Sequence, residues 1–400
     1  MSNIHLHYLS HHLTRQLNEL YVSTVIFAFG QSMMLVFVPI FLFEKGFSIA
    51  QIILYFSIHY LFYAVLMLPI GKIIAKIGYE NSIGWSMPLY GIYIGSLLLI
   101  PAYPILLFIN AFLWALYKAF YWPAFHADFT KFGDVDARGE EISSLGVLVG
   151  MVSIMGPTIG GYVIAQYGFN WMFIITLILS FLSLIPLLKS KEKYKPESFS
   201  IKNIVKDFFS KKYRNDMIAN LGTGEDIIAQ SVWPIFLLTI FTDYKDIGVL
   251  TTIALFIAFI IILVMGKLAN KPKKTRLIKT TSVFLALSWF FRIFSFNWLS
   301  IFASDAVYKI SKKSLLVPVQ ALIYDRPKGK NLLHYLILRE IALAVSKGAI
   351  GLVAFVVMII TGQVLLTFLL AGVVTFFYFY WGDQIIDDDR SAIVKMSGIK

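Results

Sequence analysis

The chain has 400 residues, of which 58% are hydrophobic and 14% are charged, and its formal net charge is +12. A soluble domain has about a quarter of its residues charged, so this composition excludes an ordinary water-soluble protein and indicates a chain solvated by lipid. No cysteine is present, which excludes disulfide bonds and thiolate metal sites.

Twelve apolar segments follow one another along the chain, and each is long enough to cross a bilayer, for which a helix needs about 20 residues. These predicted spans 1 to 12 cover residues 21–43, 50–70, 82–101, 105–125, 143–167, 171–188, 217–241, 247–269, 280–297, 299–324, 332–361 and 364–382. They are too long for the strands of a membrane barrel, and irregular backbone is too costly in hydrocarbon. The sequence therefore predicts an all-α integral membrane protein with twelve transmembrane helices.

The basic residues of the connections predict the orientation of the chain, because Lys and Arg are retained on the cytoplasmic side. The connections after odd-numbered spans contain only Lys45 and Lys245, whereas the connection 189–216 contains nine basic residues. Both termini are therefore expected in the cytoplasm. The expected order is tail, six-helix bundle, basic cytoplasmic linker, six-helix bundle and tail, over residues 1–20, 21–188, 189–216, 217–382 and 383–400.

An internal repeat supports the two bundles. Gly71 after span 2 corresponds to Gly266 near the end of span 8, and Pro123 in span 4 corresponds to Pro318 in span 10, each pair being 195 residues apart. Parallel repeats of six helices are typical of transporters whose substrate path lies between two bundles that rock against each other. The repeat therefore predicts alternating access.

In the number and orientation of its spans and in its midpoint linker, the chain resembles the major facilitator superfamily. The loop after span 2 in that family contains a glycine, an acidic residue, a basic residue and a second glycine. Gly71, Lys76 and Gly78 match this motif, whereas Ala75 stands where the acid is expected. The resemblance implies a conformational role for the loop, with a cytoplasmic charge lock that Ala75 leaves incomplete.

Span 5 contains a second motif, in which Gly156, Pro157, Gly160 and Gly161 match the Gly-Pro-x-x-Gly-Gly core associated with antiporter members of the family. Small residues let helix backbones approach closely, and proline bends a helix. The motif therefore has two interpretations, a packing site or an antiport signature, and the sequence leaves both open.

Ionisable residues inside the spans are the main functional signal, because each is costly in hydrocarbon and usually faces a wet cavity or a charged partner. They are Lys118 in span 4, Glu225 and Asp226 in span 7, Arg292 in span 9, and Asp305, Lys309, Lys312 and Lys313 in span 10. In the superfamily, spans 1, 4, 7 and 10 line the central cavity. The resemblance implies that these charges, together with Gln31 and Gln230, form the substrate or ion path. Arg292, the exception, is expected to form a structural ion pair with Asp305, and a structural ion-pair network is the alternative for the whole set.

Helical geometry refines these assignments. The four charges of span 10 share one stripe, and Asp226 and Gln230 share one face of span 7. Glu225 points about 100° away from Asp226, so at most one of these carboxylates is expected to face the path. Removing Asp305 or Lys309 alone is expected to strand a charge and destabilise the protein.

These observations predict a secondary transporter of a small organic solute in the cell membrane, with proton-coupled antiport or efflux as one option. The five cations and three carboxylates favour an anion or a zwitterion as substrate. The rival interpretation is a membrane-embedded enzyme or sensor that uses Asp128, Asp134 and Asp136 after span 4. Phosphate-binding and hydrolase motifs are absent from the sequence. We expect a monomer in the lipid bilayer, with no cofactor, metal or nucleic-acid partner.

Overall fold

A computed structural model describes residues 15–132, 138–187, 194, 196–211, 213–269, 274–325 and 332–381. The expected C-terminal tail, most of the N-terminal tail, part of the basic linker, Asp134 and Asp136 lie outside the described residues. The regular structure of the described residues is helical throughout. The prediction of an all-α chain is confirmed.

The helices follow one another with short connections, and we number them in chain order. The first seven are α1 (Arg15–Met34), α2 (Phe37–Glu44), α3 (Ile49–Ile77), α4 (Tyr79–Leu99), α5 (Leu106–Phe132), α6 (Arg138–Tyr167) and α7 (Phe169–Leu187). The next five are α8 (Ile201–Phe208), α9 (Arg214–Asn220), α10 (Glu225–Ser231), α11 (Trp233–Leu237) and α12 (Tyr244–Ala269). The last four are α13 (Lys274–Arg292), α14 (Trp298–Asp325), α15 (Leu332–Thr361) and α16 (Val364–Thr375). Two 3-10 turns, Leu221–Gly224 and Phe376–Tyr378, join α9 to α10 and extend α16.

Within the described residues, eight helical stretches are long and apolar enough to cross a membrane. They are Glu19–Glu44, Ile49–Ile77, Tyr79–Leu99, Gly146–Tyr167, Phe169–Leu187, Tyr244–Ile261, Leu332–Thr361 and Val364–Trp381. They coincide with predicted spans 1, 2, 3, 5, 6, 8, 11 and 12. The remaining predicted spans 4, 7, 9 and 10 contain the in-span charges named above, which lower their hydropathy, and span 7 is also divided into short helices. The total of twelve spans stays a prediction.

Predicted span 7 is not one continuous helix, which corrects the sequence analysis. The chain forms α9, the 3-10 turn, α10 and α11 in succession. Glycine is a poor helix former, and a Cβ atom at Gly222 or Gly224 would lie 2.7 Å from Tyr378 or 2.4 Å from Ile350. Close packing therefore requires the same glycines that interrupt the helix. The interruption places Glu225 at the start of α10.

The chain divides into two compact units. Unit 1 comprises Met1–Phe37, Ile70–Phe199 and Tyr244–Thr252, and unit 2 comprises Val38–Pro69, Ser200–Asp243 and Ile253–Lys400. In unit 1, α1 packs against α6 and α7, and α4 packs against α5 and α7. In unit 2, α13 packs against α14 and α16, while α10 packs against α15 and α16. The helices α10, α13, α14 and α15 of unit 2 contribute charged side chains to one site.

Candidate functional site

Two adjacent carboxylates of α10 share a lysine from α14. The Nζ atom of Lys312 lies 2.6 Å from Oε1 of Glu225 and 2.7 Å from Oδ1 of Asp226. A second lysine, Lys347 of α15, lies 2.8 Å from Oδ2 of Asp226. Three helices of unit 2 therefore meet in a cluster of two acids and two bases, in which each charge has an opposite neighbour.

Glu225 is the more tightly held of the two acids. Its Oε2 atom accepts hydrogen bonds from Nε1 of Trp289 at 3.0 Å and from the Tyr308 hydroxyl at 3.1 Å. Its side chain is fully buried, whereas the side chain of Asp226 is 18% exposed. Both acids have both oxygens engaged, so exposure alone distinguishes them, and Asp226 is the more accessible of the two.

Both acids join the cluster, although helix geometry predicted that at most one would face the path. They are neighbours in the first turn of α10, and the flexible four-carbon stem of Lys312 allows its ammonium group to lie between them. Adjacent side chains on a helix point about 100° apart. The long Lys312 side chain, which comes from another helix, nevertheless contacts both carboxylates. Both carboxylates therefore belong to the cluster, and the expectation that at most one of them faces the substrate path stays a prediction.

A third carboxylate, Asp305 of α14, binds two cations. It accepts a hydrogen bond from Nη2 of Arg292 at 2.9 Å and pairs with Lys309, which is one turn further along α14. The side chains of Arg292 and Asp305 are 1% and 2% exposed, whereas that of Lys309 is 15% exposed. Arg292 and Asp305 therefore form the buried pair that the sequence suggested, and Lys309 is the accessible member.

Aromatic rings surround the Arg292 guanidinium and connect it to the acidic cluster. Its Cζ atom lies 3.9 Å from the ring centroid of Trp233, 4.0 Å from that of Tyr308 and 4.4 Å from that of Trp289. Cation–π contacts of this kind stabilise a desolvated cation. Because Trp289 and Tyr308 also donate to Glu225, the two groups of charges belong to one polar network.

The N-terminal part of α3 completes the neighbourhood of Asp226. The Tyr60 hydroxyl donates a hydrogen bond to Oε1 of Gln230 at 3.0 Å, and Nζ of Lys347 lies 5.1 Å from the centroid of the Tyr60 ring. Gln230 is one turn beyond Asp226 on α10. The structure therefore brings Gln230 to the cluster by way of Tyr60, as part of the same face of α10.

The sequence analysis missed Lys347, although its signal was present. Arg339, Glu340 and Lys347 all lie inside the apolar run 332–361, but they were not counted among the in-span charges. Arg339 pairs with Glu340 at 2.8 Å, and Glu340 also accepts from the Tyr63 hydroxyl at 2.8 Å. Counting every charge in span 11 would have identified these residues.

Three other predicted path residues are not among the ion pairs of this network. Lys313 is exposed on α14 and forms no ion pair with the described residues. Lys118 and Gln31 belong to unit 1, where Lys118 lies 5.0 Å from the Trp114 ring centroid and Gln31 donates to the Tyr117 hydroxyl at 3.2 Å. The place of these three residues in the substrate path stays a prediction.

The loop motif after span 2 lies between α3 and α4. Gly71 is buried and Lys76 is exposed near the end of α3. Gly78 adopts a φ of 98° at the turn into α4. Because L-residues with side chains rarely adopt a positive φ, this second glycine of the motif is required by the backbone.

A segment of the linker binds at the position where the loop motif lacks its acid. The carbonyl oxygen of Ala75 accepts hydrogen bonds from the backbone N–H of Glu197 at 2.9 Å and the hydroxyl of Tyr194 at 3.1 Å. The hydroxyl of Tyr79 in turn donates to Glu197 at 2.8 Å. Backbone and linker contacts therefore hold this corner of unit 1.

The glycine-proline motif of α6 is a close contact between helices of unit 1. A Cβ atom added to Gly156, Gly160 or Gly161 would lie 1.9 Å from Ser32 Oγ, 2.2 Å from the Met33 carbonyl or 2.3 Å from the Tyr244 carbonyl, respectively. Conversely, a Cβ atom on Gly248 of α12 would lie 2.3 Å from the Pro157 carbonyl. The geometry supports the packing interpretation of the motif, and any role in antiport remains a proposal.

Within the described residues, no group of three His, Cys, Asp or Glu side chains is placed to hold a metal ion. The network can instead bind a charged organic solute through its accessible lysine and aspartate.

A helical chain with several membrane-length apolar helices and a buried network of charges has the features of a polytopic membrane transporter. Residues 20–219 match the family model described as Major Facilitator Superfamily. The chain belongs to this superfamily, and the resemblance inferred from its motifs is confirmed.

Solved structures share this fold over most of the chain, and two of them are transporters. A variant of the E. coli fucose:proton symporter FucP is 12% identical, with a TM-score of 0.64, and the alignment covers 92% of this chain and 98% of that one. The human organic anion transporter MFSD10 (TETRAN) is 10% identical, with a TM-score of 0.64 and coverage of 92% and 99%. Comparison with curated protein sequences gives no match. The chain is therefore a multi-pass membrane protein and a secondary transporter, rather than an enzyme.

Proposed function

We propose that this protein carries a small organic anion or zwitterion across the cell membrane by alternating access, as a monomer. The observation that carries the proposal is the charge balance of the network in unit 2. Four cations surround three carboxylates, namely Arg292, Lys309, Lys312 and Lys347 around Glu225, Asp226 and Asp305. At neutral pH this described network has one positive charge in excess.

An excess charge in a poorly solvated site favours a ligand that neutralises it. Coulomb interactions are several times stronger in such a site than in water, and an uncompensated buried charge destabilises the protein. A carboxylate, sulfonate or phosphate group on the substrate would complete the charge balance. A cationic substrate would add to the excess, so its binding is disfavoured.

Lys309 is the residue best placed to contact the negative group of the substrate. Asp305 is already hydrogen-bonded to Arg292 at 2.9 Å, and the Lys309 side chain is more exposed than either of these residues. An incoming anion can therefore bind the Lys309 ammonium group while the buried pair stays intact. Asp226, the most exposed carboxylate of the network, offers a corresponding site for the ammonium group of a zwitterion.

Proton-coupled exchange or efflux is the second candidate. Two observations favour it: the match of Gly156 and Pro157 to the antiporter motif, and the partly exposed Asp226, which takes up a proton once its ion pairs with Lys312 and Lys347 open. Titratable carboxylates inside membrane helices commonly serve as proton relays. In this mechanism, neutralising Asp226 alters how strongly Lys312 and Lys347 attract a substrate anion.

The test is transport into sealed vesicles containing the purified protein. Four probes of similar size and shape are compared: a carboxylic acid, its neutral amide, the corresponding amine and the amino acid. We expect saturable uptake of the acid and the amino acid, with little uptake of the amine or the amide. Uptake of the amine without the acid would contradict the anion proposal. Conversion of a probe without its movement across the membrane would contradict the transporter itself.

A further inference from the structure

The linker contains a short helix whose orientation is fixed by its contacts with α15. In α8, the Ser200 hydroxyl caps the N-terminus by accepting a hydrogen bond from the backbone N–H of Asn203 at 3.3 Å. Ile204 is fully buried, and Asp207 lies 2.9 Å from Nε2 of His334 near the start of α15. One face of α8 is thus held against α15, which determines where its other faces point.

A second face of α8 is apolar and exposed. Ile201 and Val205 of α8, and Phe209, which caps its C-terminus, follow at intervals of four residues and are 37%, 42% and 80% exposed. Residues four apart on a helix are offset by only about 40°, so these side chains form one continuous stripe that borders the buried face. An exposed apolar stripe of this kind indicates a partner that provides an apolar environment.

Lysines border the opposite edge of the stripe. Lys202 and Lys206 are exposed, one turn apart, and each follows a stripe residue in sequence. Lys211 is exposed just beyond the helix. Going around α8, the face that contacts α15 is followed by the apolar stripe and then by the row of lysines. Helices that lie flat at a membrane surface have the same arrangement of apolar and basic faces.

We propose that α8 is an interfacial helix that binds the surface of the bilayer through anionic lipid headgroups. Ile201, Val205 and Phe209 lie at the level of the first acyl carbons, and Lys202 and Lys206 extend to the phosphate groups. Lysine suits this position because its aliphatic stem covers apolar surface while its ammonium group stays hydrated. Its contact with α15, which is long and apolar enough to cross a membrane, keeps α8 close to a leaflet.

The charge pattern favours lipid over a protein partner. The row of lysines complements the negative surface of an anionic leaflet. A purely apolar groove on a protein partner would not pair with these lysines, which lie on the edge of the stripe away from α15. The contact between Asp207 and His334 connects this surface to α15, the helix that carries Lys347. Lipid binding would therefore act on an element of the transport network.

The absence of cysteine from the sequence makes a direct test straightforward. Two single-cysteine variants each carry one nitroxide label: Phe209→Cys on the stripe, and Asn203→Cys on the exposed side away from it. No native thiol has to be removed. In lipid nanodiscs, the label at position 209 should be accessible to oxygen and shielded from a water-soluble nickel reagent, and the label at 203 should show the reverse. Equal access of the nickel reagent to both labels would overturn the proposal.

The headgroup preference is tested by varying the lipid. Adding phosphatidylglycerol to phosphatidylcholine nanodiscs should shield the label at 209 further, and high salt should reverse this effect. Introducing Lys202→Gln and Lys206→Gln should weaken the response by about fivefold for each lysine, while size-exclusion chromatography confirms that the protein stays folded. The same response to glycerol phosphate in solution would assign the site to a free phosphate instead. No response to phosphatidylglycerol would overturn the anionic lipid as partner.

Discussion

Asp305 and Lys309 form an ion pair, but the structure predicts unequal consequences when each is neutralised. From the sequence alone, both single variants were expected to strand a charge. In the structure, Asp305 also binds Arg292 at 2.9 Å, so removal of Lys309 leaves a complete buried pair. Removal of Asp305 instead leaves two cations without the carboxylate that they share.

The magnitudes follow from burial. Arg292 is 1% exposed, and its Nε and Nη1 atoms have no hydrogen-bond partner among the described residues, so Asp305→Asn removes its main compensation. Breaking a buried pair in this way costs about 3–5 kcal/mol. Lys309→Met keeps an aliphatic stem of similar length and should cost about 1 kcal/mol or less, as for a partly exposed pair. The double variant still strands Arg292, so it should not restore stability.

Stability is measured as thermal unfolding in detergent, with size-exclusion chromatography as the readout of folded protein. Transport is measured as anion uptake into vesicles. Lys309→Met should purify with nearly normal stability and lose at least about tenfold in uptake, which corresponds to about 1.4 kcal/mol of substrate binding. Lys313→Met is the matched control, because it makes the same change at an exposed position of α14 and should alter neither property. Equal instability of Lys309→Met and Asp305→Asn would refute the pairing argument. Normal uptake by Lys309→Met would refute its contact with substrate.

Further predictions concern coupling, packing and topology. If protons drive transport, Asp226→Asn should abolish the pH dependence of uptake, while counterflow exchange continues in the folded protein. Glu225→Gln should mainly lower stability, because Glu225 is fully buried. Unchanged pH dependence in both variants would place the coupling site elsewhere. Gly160→Val should lower the yield of folded protein, because its Cβ would lie 2.2 Å from a backbone carbonyl. The expected loss of folding free energy is about 1–3 kcal/mol or more. Gly146→Val in the same helix is the control, because a Cβ atom there meets no atom within 4 Å. Similar yields would contradict the packing role. A reporter fused after Lys400 should be active only in the cytoplasm, and external activity would contradict the predicted topology.

The sequence by itself determined the features that depend on local composition. Runs of apolar residues require a bilayer and a helical backbone, whatever their neighbours are. The glycines of α6 could be recognised as small-residue contacts for the same reason, since only a residue without a Cβ allows helices to approach so closely. The charges inside the spans were equally visible, because an ionisable residue in an apolar run is conspicuous wherever it pairs.

Only the tertiary structure decided which charges share a site and which do not. Lys347 joins Asp226 from α15, Lys313 stays exposed although it follows Lys312 directly, and Glu225 is fully buried at the start of α10. These differences depend on the packing of helices that are far apart in the sequence, and helical periodicity says nothing about what faces each side chain. The energy of a buried charge depends on its neighbours in space, so the composition of the site could be proposed from the sequence, whereas its pairing required the fold.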